Sequence, residues 1–136
     1  MAVKTKYPPC HKCGDPHAPP DAVCRRYNGW ANYETWAVNL WLTNDEGTYS
    51  YWRERAADAK NEENWPEHDK EWFKKKTFTR YEIARGLLSR WLKEELEEQS
   101  AEVFQSAFEA SLWSDLLGGA LSEVNWFEVA EHFLEE

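Results

Sequence analysis

The sequence predicts an all-α protein, a small domain of about five helices behind a loop-rich N-terminal head. Three observations predict it. Apolar residues recur at three- and four-residue spacing from Asn32 onward. Val/Ile/Thr alternation of the kind a strand needs is scarce. Helix-capping spacings, Thr79-x-x-Glu82 and Asn125-x-x-Glu128, open two of the periodic stretches. A chain of 136 residues is one domain with at most a small appendage. Nine Trp, six Tyr and six Phe supply a core despite the hydrophilic average, because each buried aromatic removes roughly 150–250 Å² from water.

Residues 1–27 form the head. They hold all three Cys, two of the four His and five of the six Pro. Pro8-Pro9 and Pro19-Pro20 stop any helix there. Residues 28–136 form the acidic, aromatic-rich helical domain. Its first helix starts at Asn32, an N-cap with Glu34 in the first turn to complement the helix dipole. Tyr33, Trp36, Val38, Leu40, Trp41 and Leu42 are expected to face inward, and Asn44-Asp45-Glu46-Gly47 to end the helix with Gly47 left-handed. A second helix is expected over about Thr48–Lys60, through Tyr51, Trp52, Arg55 and Ala56. Residues 61–76, broken by Trp65-Pro66, read as a loop with at most a short helical turn. The longest helix follows Thr79 to about Glu98, burying Ile83, Leu87, Leu88, Trp91 and Leu96. A fourth is expected over about Ala101–Leu117, burying Val103, Phe104, Phe108, Leu112, Trp113 and Leu116, and stopped by Gly118-Gly119. The last opens at Asn125 and turns Trp126, Val129, Ala130 and Phe133 to one face.

The run "NGWANYETWAVNLW", residues 28–41, could stack on a base or a sugar, or could be the buried stripe of one helix. A stacking platform for nucleic acid normally interleaves its aromatics with Lys or Arg. None occurs between Asn28 and Asp45, and the spacing is helical. Burial is the expectation, with Asn32 and Glu34 serving as cap residues rather than catalysts.

The longer stretch "GWANYETWAVNLWLTNDEGTYSYW", residues 29–52, carries a resemblance. It is similar to the signature of a family of small phage- and plasmid-encoded proteins that read G-W-x-N-Y-E-T-W and then N-D-E-G. The tail "VNWFEVAEHFLEE", residues 124–136, resembles the N-W-x-E-x-A-E helix that ends the same family. Together the two segments cover a little over a quarter of the chain, and residues 1–27 lie outside the pattern. The resemblance implies a mobile-element origin, and the family has no settled reaction to carry over.

In the head, Cys10, Cys13, His17 and Cys24 offer four zinc ligands within fifteen residues. Zinc favours thiolate and imidazole in a tetrahedron, and Gly14 suits the tight turn after a C-x2-C pair. The following gaps of three and six residues differ from the four and four of a zinc knuckle. His11 is an alternative ligand, and three free thiols in a loop is the competing reading. A Zn2+ held by four protein ligands has no open position for water, so the expected role is structural.

Charge is uneven. Residues 91–136 carry a net −11, more than the whole chain's −9, while residues 1–30 carry +3. The acidic third repels phosphate and attracts basic protein surfaces, or is simply a solvated helix face. Its densest patch is Glu94, Glu95, Glu97, Glu98 and Glu102, the candidate partner-binding residues. No apolar run spans a membrane and Met1–Pro20 has no signal-type apolar core, so the cytoplasm of the host cell is the expected location. There the Cys are not expected to be disulfides.

No nucleophile elbow, zinc-protease motif, phosphate loop or dinucleotide fingerprint occurs. His68 sits in a polar loop beside Glu67 and Asp69, and His132 reads as an exposed helix residue. A non-enzyme is expected. The leading expectation is an inhibitor that binds a host defence complex, such as a CRISPR effector or restriction enzyme, whose basic nucleic-acid channel an acidic surface can occupy. The alternative is a zinc-containing nucleic-acid-binding accessory protein acting through Lys12, Arg25 and Arg26. The scarcity of clustered cations argues against that footprint. A homodimer built on the aromatic surplus is a third reading.

Overall fold

The computed structural model describes residues 26–103 and 112–135. In order the elements are α1 (Tyr33–Asn44), α2 (Glu46–Lys60), a 3-10 turn (Glu62–Asn64), α3 (Glu67–Lys74), α4 (Arg80–Val103), α5 (Leu112–Ser122) and α6 (Trp126–Leu134). The all-α expectation holds, and no β-strand occurs among the described residues. The only extended pairing among the described residues is a bridge in which Tyr27 and Trp30 exchange N–H···O bonds of 2.9 and 2.8 Å. Asn28 and Gly29 close it with φ of 47° and 85°, the left-handed pair that Asn-Gly adopts in a tight hairpin turn.

Local chemistry explains most boundaries. Asn32 caps α1 by accepting from the Thr35 N–H, and the Thr79–Glu82 box opens α4 through bonds of 3.0 to 3.3 Å. Asp45 is the single residue between α1 and α2 and caps the second. It accepts from the Thr48 N–H and hydroxyl, which hold its carboxyl below the usual Asp range. Gly47 is therefore not a left-handed stop. It lies in the first turn of α2, because the Asp cap restarts the helix before a glycine stop is needed.

Residues 61–76 hold more helix than expected. Pro66 does break the chain, but it then serves as the N-cap position of α3, with Glu67 and Asp69 in the first turn. Lys76 ends α3 in the left-handed region with φ 59°. The Thr77 N–H reaches the Trp72 carbonyl and the Lys76 N–H that of Phe73, the paired bonds that close a helix end. Trp65 pins the preceding turn. It is buried, and its indole N–H donates 2.7 Å to the Ala59 carbonyl.

The core lies between α2, α4 and α6. Trp52, Ala56 and Ala59 meet Ile83, Ala84, Leu87, Leu88 and Leu92, with Val129, Ala130, Phe133 and Leu134 closing the third side. The α6 chain runs antiparallel to α4, as the Arg85–Glu131 pair at 3.1 Å and the Tyr81–Glu135 bond at 3.3 Å show. Trp91 and Leu96 pack on the core margin, as their spacing predicts.

Two expectations about burial fail. In α1 the buried residues are Thr35, Asn39 and Leu42, while Tyr33 and Trp41 are 54% and 75% exposed and Trp36 is half-buried. The helix turns Thr35 inward because its hydroxyl bonds to the far end of the chain, as described below, whereas Asn39 is buried with its Oδ1 unpartnered. In the fourth predicted helix, Ala101–Val103 belong to α4, and Phe104 and Phe108 lie outside the described residues. The helix that follows, α5, passes through Gly118-Gly119 to Ser122 and buries no residue. Leu112, Trp113 and Leu116 are exposed rather than inward.

Candidate functional site

The two segments that carry the resemblance meet in space. The Thr35 hydroxyl, fully buried, donates 2.6 Å to Asn32 Oδ1 and accepts 2.9 Å from the Asn125 N–H. Asn32 Nδ2 donates to the Glu123 carbonyl, and the Ala31 N–H to Glu128 Oε1 at 2.9 Å. Asn125 Oδ1 in turn accepts from the Glu128 N–H at 3.2 Å. One polar knot thus caps the starts of both α1 and α6. Trp30 lies 5.5 Å from the His132 ring beside it, so His132 is half-buried against an indole rather than exposed. The Asn, Thr and Glu of the signature are folding residues.

The acidic candidates lie on the C-terminal half of α4. Glu94, Glu97, Glu98 and Glu102 are exposed, and none has a Lys or Arg partner among the described residues. Glu95 differs. It is half-buried and accepts from the Tyr51 hydroxyl, and its Oε2 is buried without a partner. The bond to Glu95, then burial and the carboxylate charge, push the Tyr51 phenol above its ordinary pKa. Cys10, Cys13, His17 and Cys24 lie outside the described residues, as do Lys12 and Arg25. Among the described residues no group of three or more His, Cys, Asp or Glu could hold a metal ion. No described helix is long and apolar enough to cross a membrane.

A feature absent from the sequence reading is a cleft of about 310 Å³ between α3, α4 and the start of α6. Trp72 and Phe78, edge to face at 5.3 Å, form one wall, and Phe127 lines the cleft as well. Gly86 and Ser89 of α4 also line it, together with Arg85 and Arg90. Arg90 holds the buried Asp69 carboxylate at 3.0 Å, and His68 Nε2 approaches the other oxygen at 3.3 Å. The Ser89 hydroxyl is committed to the Gly86 carbonyl at 2.8 Å. The Asp69 carboxylate thus pairs with the Arg90 guanidinium through one oxygen and has the His68 imidazole beside the other.

Gly86 is the one signal of this cleft in the sequence. Mid-helix glycine costs about 1 kcal/mol relative to Ala. A Cβ built there meets nothing within 4 Å, so no neighbour in the fold demands glycine.

No curated protein and no solved structure matches the chain. Residues 23–79, which span the signature, α1, α2 and α3, match the model of a family of unknown function, DUF7249, and over that stretch the chain is similar to that family.

Proposed function

We propose that this chain is a non-catalytic binding protein of a phage or plasmid that docks on a basic, nucleic-acid-handling host complex and competes for its nucleic-acid site. The observation that carries the reading is the row of unpaired carboxylates on α4. Glu94, Glu98 and Glu102 recur every four residues, about 6 Å apart along the helix at 1.5 Å per residue. Like charges at this spacing destabilise a helix by roughly 0.2–0.5 kcal/mol per pair. No ion pair to a described Lys or Arg offsets that cost, so a basic partner would relieve it. The mobile-element resemblance supports the setting, in the host cytoplasm with a CRISPR effector or restriction enzyme as target class. The same reading keeps Cys10, Cys13, His17 and Cys24 as a structural Zn2+ site in the head, for which elemental analysis of untagged protein should find about one metal per chain.

The test is charge reversal of Glu94, Glu97, Glu98 and Glu102 to Lys, which leaves the Tyr51–Glu95 bond in place. Wild-type protein should displace nucleic acid from the complex that co-purifies with it in an element-bearing host. The reversed variant, with unchanged helical circular dichroism, should not. Displacement should weaken with salt, since exposed pairs are screened beyond a Debye length of about 8 Å at physiological ionic strength. Equal binding by both proteins, with competition by neither, refutes the mechanism.

A further inference from the structure

We propose that the cleft between α3, α4 and α6 is a binding site for a small flat aromatic carboxylate of one or two fused rings. Its volume, about 310 Å³, is at the lower end of small-molecule sites. That suits one or two rings and little more. Trp72, Phe78 and Phe127 offer aromatic faces and edges to such a body. Gly86 opens the floor, because a Cβ there would meet no atom of the fold within 4 Å. A ring lying against the bare α4 backbone accounts for a glycine that helix propensity disfavours.

The polar groups choose the substituent. Asp69 is committed to Arg90 and His68, and Glu82, which bonds Thr79 through Oε1, lies about two turns of α4 away from Arg90. The donors at the Arg90 end are not all in use. Arg85 gives Nη1 to Glu131, yet its Nε is buried with no acceptor. Arg90 gives Nη2 to Asp69 and Nε to the Gly86 carbonyl, leaving Nη1 without a partner among the described residues. Lys93 lines the adjoining hollow on α4 and forms no ion pair among the described residues. The donor-rich end of the cleft, at Arg90 and Lys93, favours a carboxylate over an ammonium group. This site stands apart from the acidic row on α4, so either proposal can fail without the other.

Three probes on the full chain separate the possibilities: indole-3-acetate, neutral indole and cationic tryptamine, titrated by calorimetry and by amide NMR shifts. Indole-3-acetate should bind one to one, more tightly than tryptamine by about tenfold or more, the ratio expected of a single charge-assisted contact. Gly86→Leu fills the floor with a good helix former whose Cβ meets no neighbour within 4 Å. It should keep the melting temperature and abolish binding of all three probes. Arg85→Lys keeps the charge beside Glu131 but loses Nε, and should narrow the gap between acetate and amine. Equal affinity for the three probes would show a generic apolar surface and overturn the proposal. So would saturable binding that survives Gly86→Leu, or no saturable binding of indole-3-acetate at millimolar concentration.

Discussion

Replacing Thr35 by Val tests the claim that the signature segment is a folding device. Thr35 is fully buried, and Val has nearly its shape, so packing is kept while the hydroxyl is lost. The hydroxyl has two jobs, donating to Asn32 Oδ1 and accepting from the Asn125 N–H. Leaving that part-buried N–H without an acceptor costs about 1–3 kcal/mol, and the bond to Asn32 adds about 1 kcal/mol. Burying a methyl in place of the hydroxyl returns roughly 0.8 kcal/mol. The net loss is about 2 kcal/mol, or roughly 5–10 °C in melting temperature for a domain of this size. Thr35→Ser is the control, since it keeps both bonds and drops only a methyl, for about 1 kcal/mol. Denaturant titration followed by circular dichroism and Trp fluorescence should therefore rank wild type above Ser above Val. If Val is as stable as wild type, or more stable than Ser, the knot does not stabilise the fold and the reasoning fails.

Burial separates the tryptophans. Trp52→Ala, at 1% exposure, should cost about 3–5 kcal/mol in a denaturant titration, whereas Trp41→Ala, at 75%, should stay within about 0.5 kcal/mol. Trp36, half-buried with its ring 4.8 Å from Tyr27 and 5.6 Å from Tyr33, should fall between them rather than match Trp52. Alkaline stability should depend on Tyr51. Its phenol holds its proton to higher pH in the folded state than in the unfolded one. That contribution is therefore complete below about pH 10 and is lost as pH rises through the raised folded value. Tyr51→Phe should flatten this part of the pH–stability curve, and an unchanged alkaline limb would count against the Tyr51–Glu95 bond.

What could be read from the sequence was what is decided within one helical turn. Asn32, Thr79 with Glu82, and Asn125 were legible as caps because each bonds three residues onward. The core face of α4 was legible because its floor is aliphatic at regular spacing. The face of α1 was not, although its buried positions, Thr35, Asn39 and Leu42 with Val38 beside them, have proper helical spacing. Two of these letters are polar, and apolarity misdirects at Thr35, where a hydrogen bond across the chain makes polar burial favourable. A mostly charged sequence hid α3, Glu67–Lys74, and Gly118-Gly119 looked like a stop because glycine disfavours a helix interior. The cleft was hidden for a different reason. Asp69, Trp72, Phe78, Gly86, Arg90 and Phe127 come from three helices and a turn, and only Gly86 breaks a local rule.

The signature segment can now be divided by physical role. Asn32 and Thr35 tie α1 to the start of α6, Asp45 restarts the chain as α2, and Leu42 and Trp52 enter the core. Folding accounts for those residues. It accounts less for Trp41, which is 75% exposed, and for Tyr33, which is 54% exposed and packs its ring on Tyr27 and Trp36. Glu34 supplies only first-turn charge to α1. A functional constraint on this stretch, as opposed to a folding one, therefore has room to act on the outer edge of α1, at Tyr33 and Trp41. An exposed Trp is a large apolar surface presented to solvent, and such residues are enriched among the anchors of protein interfaces. The aromatic run thus joins two uses that the linear sequence superimposes. Its polar letters hold the fold, and its most conspicuous tryptophan faces outward.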